Sequence, residues 1–160
     1  MSASSSPEAE RAADLAALER TVYGHIPLAR AMGVRVLRSD ADGVLLVAPL
    51  APNINHRQTF FGGSAAALAT LAAWVLAQQR LLEEEGLDGH LVIQRSSMEY
   101  LEPAAAEVLA ECRAPDSAAW ARLIRMVKRH GKGRIELTVE LTAEGCVVGS
   151  FTGSFVVFTE

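Results

Sequence analysis

The chain has 160 residues, half of them hydrophobic, and a formal net charge of -4. That length fits one domain with a sizeable core, and the acidic balance argues against a general nucleic-acid binder. Two cysteines, Cys112 and Cys146, make no disulfide framework and show no metal-ligand spacing, so reduced thiols are expected.

Residues 1–7 are Ser-rich, lack the charged start and apolar centre of a signal peptide, and are expected to be a disordered tail. Residues 8–160 then form the single domain. Leu15, Leu18 and Val22 predict a helix over 8–23, with Gly24 closing it. A short turn after Ile26 ends near Gly33, and Met32 is expected to pack inward. Residues 34–37 and 44–50 read as a strand hairpin about Asp40-Ala41-Asp42-Gly43. The second strand is apolar throughout, which predicts burial on both faces. Pro49 and Pro52 end it and open a polar loop.

A long helix is expected from about 61 to 84, apolar over 65–77 except for Thr70. Its continuous apolar part falls short of the ~20 residues of a membrane span, so it reads as a core helix wrapped by other elements. Strands follow at 91–101 and 106–112. Strict alternation in the first puts Val92, Gln94, Ser96, Met98 and Tyr100 on one face. Pro115-Asp116-Ser117 starts a short helix carrying Trp120, Leu123, Ile124 and Val127. Strands at 134–141 and 146–158 join through an Ala143-Glu144-Gly145 turn. Gly149 and Gly153 are expected to mark bulges or places where a helix lies on bare backbone. Turn-joined strands and one long apolar helix make an antiparallel α+β arrangement.

The chemistry concentrates where the polar loop meets that helix, at Thr59-Phe60-Phe61-Gly62-Gly63-Ser64. The first turn of a helix leaves N–H groups without partners, and its dipole adds positive charge there. Gly62 and Gly63 let another group approach those N–H groups. Such a site suits a phosphate or a developing oxyanion. Close packing of the two glycines on a neighbouring strand is the competing reading.

Three features resemble the hotdog fold, and within it the thioesterase-like YiiD C-terminal domain family. They are Asn53-Ile54-Asn55 with Thr59-Phe60-Phe61-Gly62-Gly63-Ser64, then Met98-Glu99-Tyr100-Leu101-Glu102-Pro103, then Lys128-Arg129-His130-Gly131-Lys132-Gly133 before a strand. The resemblance runs from about Ile26 to the C-terminus. It implies a curved antiparallel sheet around one long helix, and a homodimer or tetramer with acyl-thioester sites between subunits. Hotdog thioesterases of the phenylacetyl-CoA type look like Asn, a gap, then His-Gly-Gly, with an acid further along the helix. Here the Asn falls on Asn55, the His on Phe61 and the acid on Thr70.

The resemblance implies hydrolysis of an acyl-CoA or acyl-carrier-protein thioester. No metal or redox cofactor is implied, since coenzyme A or phosphopantetheine enters as part of the substrate. The Gly63 N–H is the oxyanion candidate, and Asn55 the group that orients water. Ser64 and Thr70 offer hydroxyls, or else cap and back-bond their own helix. Asn53, Arg57, Gln58, Thr59, Phe61 and Gly62 form the substrate loop. Met98 and Tyr100 line an acyl tunnel or simply pack the core. Lys128, Arg129 and Lys132, with Arg134, grip phosphates or complement a helix C-terminus. His56 is a loop base or a solvated side chain. Glu99 and Glu102 are the acids nearest the acyl-facing strand, available from a partner subunit in place of the helix acid. A cytoplasmic protein with no membrane span is expected. The alternatives are an acyl-CoA-binding hotdog module without turnover, and a dehydratase or hydratase, which Phe61 in place of a histidine disfavours.

Overall fold

The structure is a computed structural model and describes residues 6–159, without the side chains of Glu83 and Glu84. Helix α1 (Pro7–His25) begins inside the expected tail, because the Ser6 hydroxyl accepts the Ala9 N–H at 3.2 Å. Residues 1–5 of that tail lie outside the described residues. Gly24 does not close α1; the helix runs through it, and the Ile26 N–H still reaches the Val22 carbonyl. The boundary is set by Pro27, which pushes Ile26 out of helical geometry and starts α2 (Pro27–Ala31).

Strands β1 (Arg35–Asp40) and β2 (Gly43–Ala48) form the expected hairpin. The Asp40 carboxylate accepts the N–H groups of Asp42 and Gly43 across its turn. Every residue of β2 except Leu45 is buried, as the unbroken apolar run predicts. Two side chains stitch α1 to β1. The Tyr23 hydroxyl donates to the Val34 carbonyl, and Glu19 accepts the Val36 N–H at 3.1 Å. Burial, then the Glu19 charge, push the Tyr23 pKa up.

The long helix is α3 (Gly62–Ala77), continued as a π-helix over Gln78–Glu84. By length and composition Gly62–Leu82 is enough to cross a bilayer, which the sequence reading did not expect. In the fold, the sheet covers it: Leu68, Ala69, Ala72, Ala73 and Ala77 have no exposed surface. Alanines let helix and strands approach closely, and α3 packs on five strands of the sheet.

The remaining elements are β3 (His90–Tyr100), β4 (Val108–Arg113), α4 (Ser117–His130), β5 (Lys132–Ala143) and β6 (Cys146–Phe158). All six strands form one antiparallel sheet in the order β1-β2-β4-β5-β6-β3. The Asp116 carboxylate caps α4 through the Ala119 N–H at 2.8 Å. Trp120, Leu123 and Val127 bury its apolar stripe, and α4 packs on β5.

Strict alternation fails in β3. The register against β6 shifts between Ile93 and Arg95, so Gln94 is a bulge. Leu91 and Ile93 lie opposite the buried Val157 and Phe155, and after the bulge Met98 and Tyr100 lie opposite the buried Phe151 and Gly149. The inner face is therefore Leu91, Ile93, Ser96, Met98 and Tyr100. Val92 and Gln94 leave the face on which the sequence put them.

Gly149 borders the register shift between β5 and β6, where Val148 is the extra residue, whereas Gly153 lies in unbroken pairing. A Cβ on Gly149 would meet Met98 at 2.9 Å, and one on Gly153 would meet the rings of Phe151 and Phe155 at 2.8 Å. Both glycines make room for large side chains on the sheet's own inner face.

Candidate functional site

Residues 53–61 form a tight loop that delivers the chain to the start of α3. Asn53 is its anchor. The side-chain amide donates to the carbonyls of Met32 and Pro49, each at 2.8 Å, and its backbone carbonyl accepts the Phe61 N–H at 2.7 Å. Only 2% of Asn53 is exposed, so it holds the loop from behind and is not positioned to touch a substrate. That corrects its placement in the substrate loop.

Asn55 organises the loop from within. Its side-chain oxygen accepts the Arg57 and Thr59 N–H groups at 2.8 and 3.1 Å, and its Nδ2 donates to the Thr59 hydroxyl at 2.9 Å. Gln58 takes a left-handed backbone with φ of 62° to close the turn. One Nδ2 hydrogen of Asn55 is left for another acceptor. His56, Arg57 and Gln58 are exposed, and Thr59 is half-buried.

No side chain caps α3 at Phe61, so nothing of that kind shields its first-turn N–H groups. Two aromatic rings flank that turn. A Cβ on Gly63 would lie 2.5 Å from the Phe61 ring, and one on Gly62 would lie 3.2 Å from the Tyr100 ring. The Tyr100 hydroxyl also donates to the Gly62 carbonyl at 2.9 Å. Both glycines thus seat aromatic rings, and Gly63 stays exposed. Close packing on the two glycines is present, on a turn whose Gly63 is an exposed residue.

Beside Gly62 opens an apolar cavity of about 310 Å³. Phe60, Ala65, Met98, Tyr100, Ala104 and Val108 are among its walls, and among the described residues Glu102 is the one acid in its lining. Met98 and Tyr100, read from the sequence as tunnel wall or core packing, both line it. The Phe60 and Ala104 walls were not anticipated; the Phe60 N–H to Ala104 carbonyl bond at 2.7 Å that joins them spans a gap no sequence pattern signals. Glu102 was expected to serve from a partner subunit, yet it lines the cavity of its own subunit. Glu99 is exposed and outside that lining.

Ser64 is half-buried in the first turn. Thr70 lies two turns further on and donates its hydroxyl to the Ala66 carbonyl at 2.8 Å. Among the described residues, no group of three His, Cys, Asp or Glu side chains has metal-binding geometry. His25 and His90 pack on Trp74 and Phe158, away from the cavity lining.

The basic residues Lys128, Arg129 and Lys132 are exposed at the opposite end of the sheet. Lys132 and His90 both pair with Phe158, whereas Tyr100 pairs with Gly149. The ten-residue rise of β3 separates those ends by roughly 33 Å. Within one subunit the basic cluster does not reach the start of α3.

Known structures match this fold over nearly its whole length. A protein of unknown function from Chlorobaculum tepidum TLS is 30% identical, with a TM-score of 0.85, over 89% of this chain and 93% of its own. A thioesterase, so described with the word putative, from Shewanella oneidensis is 30% identical, with a TM-score of 0.77, over 91% of this chain and 97% of its own. A Pseudomonas aeruginosa protein described as a probable thioesterase is 22% identical, with a TM-score of 0.77, over 89% of this chain and 94% of its own, and shares the fold. The curved antiparallel sheet around α3 is the hotdog fold. The family model described as "Putative thioesterase (yiiD_Cterm)" matches residues 15–159, and the chain belongs to that family.

Proposed function

We propose that this protein hydrolyses an acyl thioester, carried by coenzyme A or by an acyl-carrier protein, at the N-terminus of α3. The observation that carries the reading is the uncapped first turn of α3 opening beside an apolar cavity. The cavity takes the acyl chain. The Gly63 N–H takes the carbonyl oxygen as it becomes an oxyanion, with support from the helix dipole. Water held by the remaining Nδ2 hydrogen of Asn55 attacks the carbonyl carbon, and Glu102 accepts its proton. The tetrahedral adduct then expels the thiolate, which takes that proton back. Ser64 offers a further hydroxyl. Arg57, Gln58, Thr59 and Phe61 form the rim that meets the substrate.

The active form is a homodimer, from which a tetramer can be built. Strand β3 has a free edge and is exposed along most of its length. Such an edge invites a second strand. A two-fold axis through the middle of β3 sets two copies antiparallel. It then brings Lys128, Arg129 and Lys132 of one copy toward the Tyr100 end of the other, where they grip the phosphates of the substrate. No metal or redox cofactor enters this chemistry. Two unpaired cysteines suit the reducing cytoplasm.

One observation favours an acyl-CoA-binding module without turnover. Thr70 stands where the resemblance to phenylacetyl-CoA-type thioesterases implies an acid, and its hydroxyl turns back on the Ala66 carbonyl. Free-thiol release across a panel of acyl-CoA chain lengths separates the two. Turnover above background that falls in Asn55→Ala supports hydrolysis. No turnover, with a rise in melting temperature on adding acyl-CoA, supports the binding module.

A further inference from the structure

We infer that Tyr100 is a positioning residue for the Gly63 N–H, acting through the peptide that joins Gly62 to Gly63. This rests on the proposal that Gly63 donates to the oxyanion. The Gly62 carbonyl and the Gly63 N–H are two ends of one planar group. Whatever fixes the carbonyl also fixes the direction of the N–H. The Tyr100 hydroxyl donates to that carbonyl at 2.9 Å across 38 positions of the chain.

The contact is built from both sides. The Tyr100 ring lies against Gly62 so closely that a Cβ there would come within 3.2 to 3.4 Å of Cε1, Cζ and Oη. Tyr100 sits opposite Gly149 at the end of β3, and the next N–H, of Leu101, bonds to the Val148 carbonyl at 2.9 Å. The hydroxyl is therefore carried by the sheet, not by a loose loop. Inside α3 the Gly62 carbonyl faces the Ala66 N–H of the helical ladder, and the Tyr100 hydroxyl adds a second restraint from the strand side.

The bond also has an electronic consequence. A hydrogen bond accepted by an amide carbonyl polarises the amide and strengthens its N–H as a donor. Tyr100 thus aims the Gly63 N–H and sharpens it, without touching the reacting atoms. A strand tyrosine packed over a helix start for stability alone would do neither to any catalytic effect.

The test is Tyr100→Phe, which keeps the ring and its packing and removes the hydroxyl. On acyl-CoA substrates kcat is expected to fall about threefold to tenfold, with KM unchanged because the acyl wall is intact. The Gly63 amide proton resonance is expected to shift upfield. An unmoved Gly63 amide overturns the inference. So does a moved amide with unchanged kcat, which would leave Tyr100 a structural tether. If the wild-type protein hydrolyses no thioester, the hydrolase reading fails on its own. The inference is then decided by whether Tyr100→Phe alters the Gly63 amide shift induced by bound acyl-CoA; an unaltered shift overturns it.

Discussion

The ring of Phe61 rests on Gly63, so close that a Cβ there would lie 2.5 Å from Cε1. Phe61 itself is 55% exposed, so its ring has room to swing away. Gly63→Ala is therefore expected to cost little stability. The higher helix propensity of alanine offsets the displaced ring by up to about 1 kcal/mol. The same methyl group stands in front of the N–H proposed to hold the oxyanion. Thermal melting should stay level or rise, while thioester turnover falls about tenfold or more. Unchanged turnover would reduce Gly63 to a seat for Phe61.

Asn53 and Asn55 are two positions apart and should respond differently to alanine. Asn53 is buried and serves two backbone carbonyls from behind the loop. Asn53→Ala strips both and should destabilise by about 1–3 kcal/mol in urea denaturation. Asn55 is half-buried and staples a surface turn. Asn55→Ala should cost about 1 kcal/mol and act mainly on turnover. A larger loss of stability at Asn55 than at Asn53 would contradict this division.

The two thiols should be distinguishable by reaction. Cys112 is buried, and burial pushes its pKa up to about 12 from an ordinary 9.0, whereas Cys146 is exposed. A thiol reagent should modify one cysteine per native chain and both after denaturation. The linkage has a definite sign. The unfolded Cys112 ionises from about pH 9 and the folded one does not. Its contribution is therefore complete below pH 9 and is lost as pH rises toward 12. The raised Tyr23 pKa acts in the same direction. Urea midpoints measured from pH 8 to pH 11 should fall, and less steeply in Cys112→Ala.

What the sequence made legible follows from how each signal is encoded. Strand β6 begins at Cys146 and ends at Phe158 as expected, because a left-handed Glu144-Gly145 turn and long apolar alternation fix it locally. The element pattern carried an antiparallel α+β arrangement, and the hotdog fold was legible only as a resemblance resting on the loop, strand and helix-end motifs. The face assignment in β3 was not legible, because the Gln94 bulge depends on pairing with β6, a partner more than fifty residues away in sequence. The loop was read as a set of substrate contacts. Asn53 is instead an internal strut, which becomes visible only when Met32 and Pro49 are brought around it. Tyr100 was legible as a wall but not as a donor, since its acceptor is a backbone carbonyl that carries no side-chain signature.

The free edge of β3 carries the dimer proposal, so it should be breakable there. Val92 is 47% exposed on the outer face, and among the described residues the backbone beside it has no strand partner on that edge. Val92→Lys combined with Ser97→Lys places two like charges, four with the second copy, along the join. Light scattering after size exclusion should report about 34 kDa for the wild-type dimer, twice the 17.1 kDa chain, and a monomer for the variant. A wild-type monomer would remove the route by which Lys128, Arg129 and Lys132 reach the site.

Glu102 gives the hydrolase reading its sharpest test, because among the described residues it is the one acid lining the cavity. If its carboxylate accepts the proton of the attacking water, Glu102→Gln keeps the shape and removes the base. Turnover should fall about a hundredfold or more, the range of general-base contributions. Acyl-CoA should still raise the melting temperature, since cavity and N–H donors persist. Glu99→Gln is the control, as Glu99 lies on the same segment but outside the cavity lining. Loss in the Glu99 variant with an active Glu102 variant would transfer the base to the neighbouring acid. Two active variants would leave water activation to the loop around Asn55.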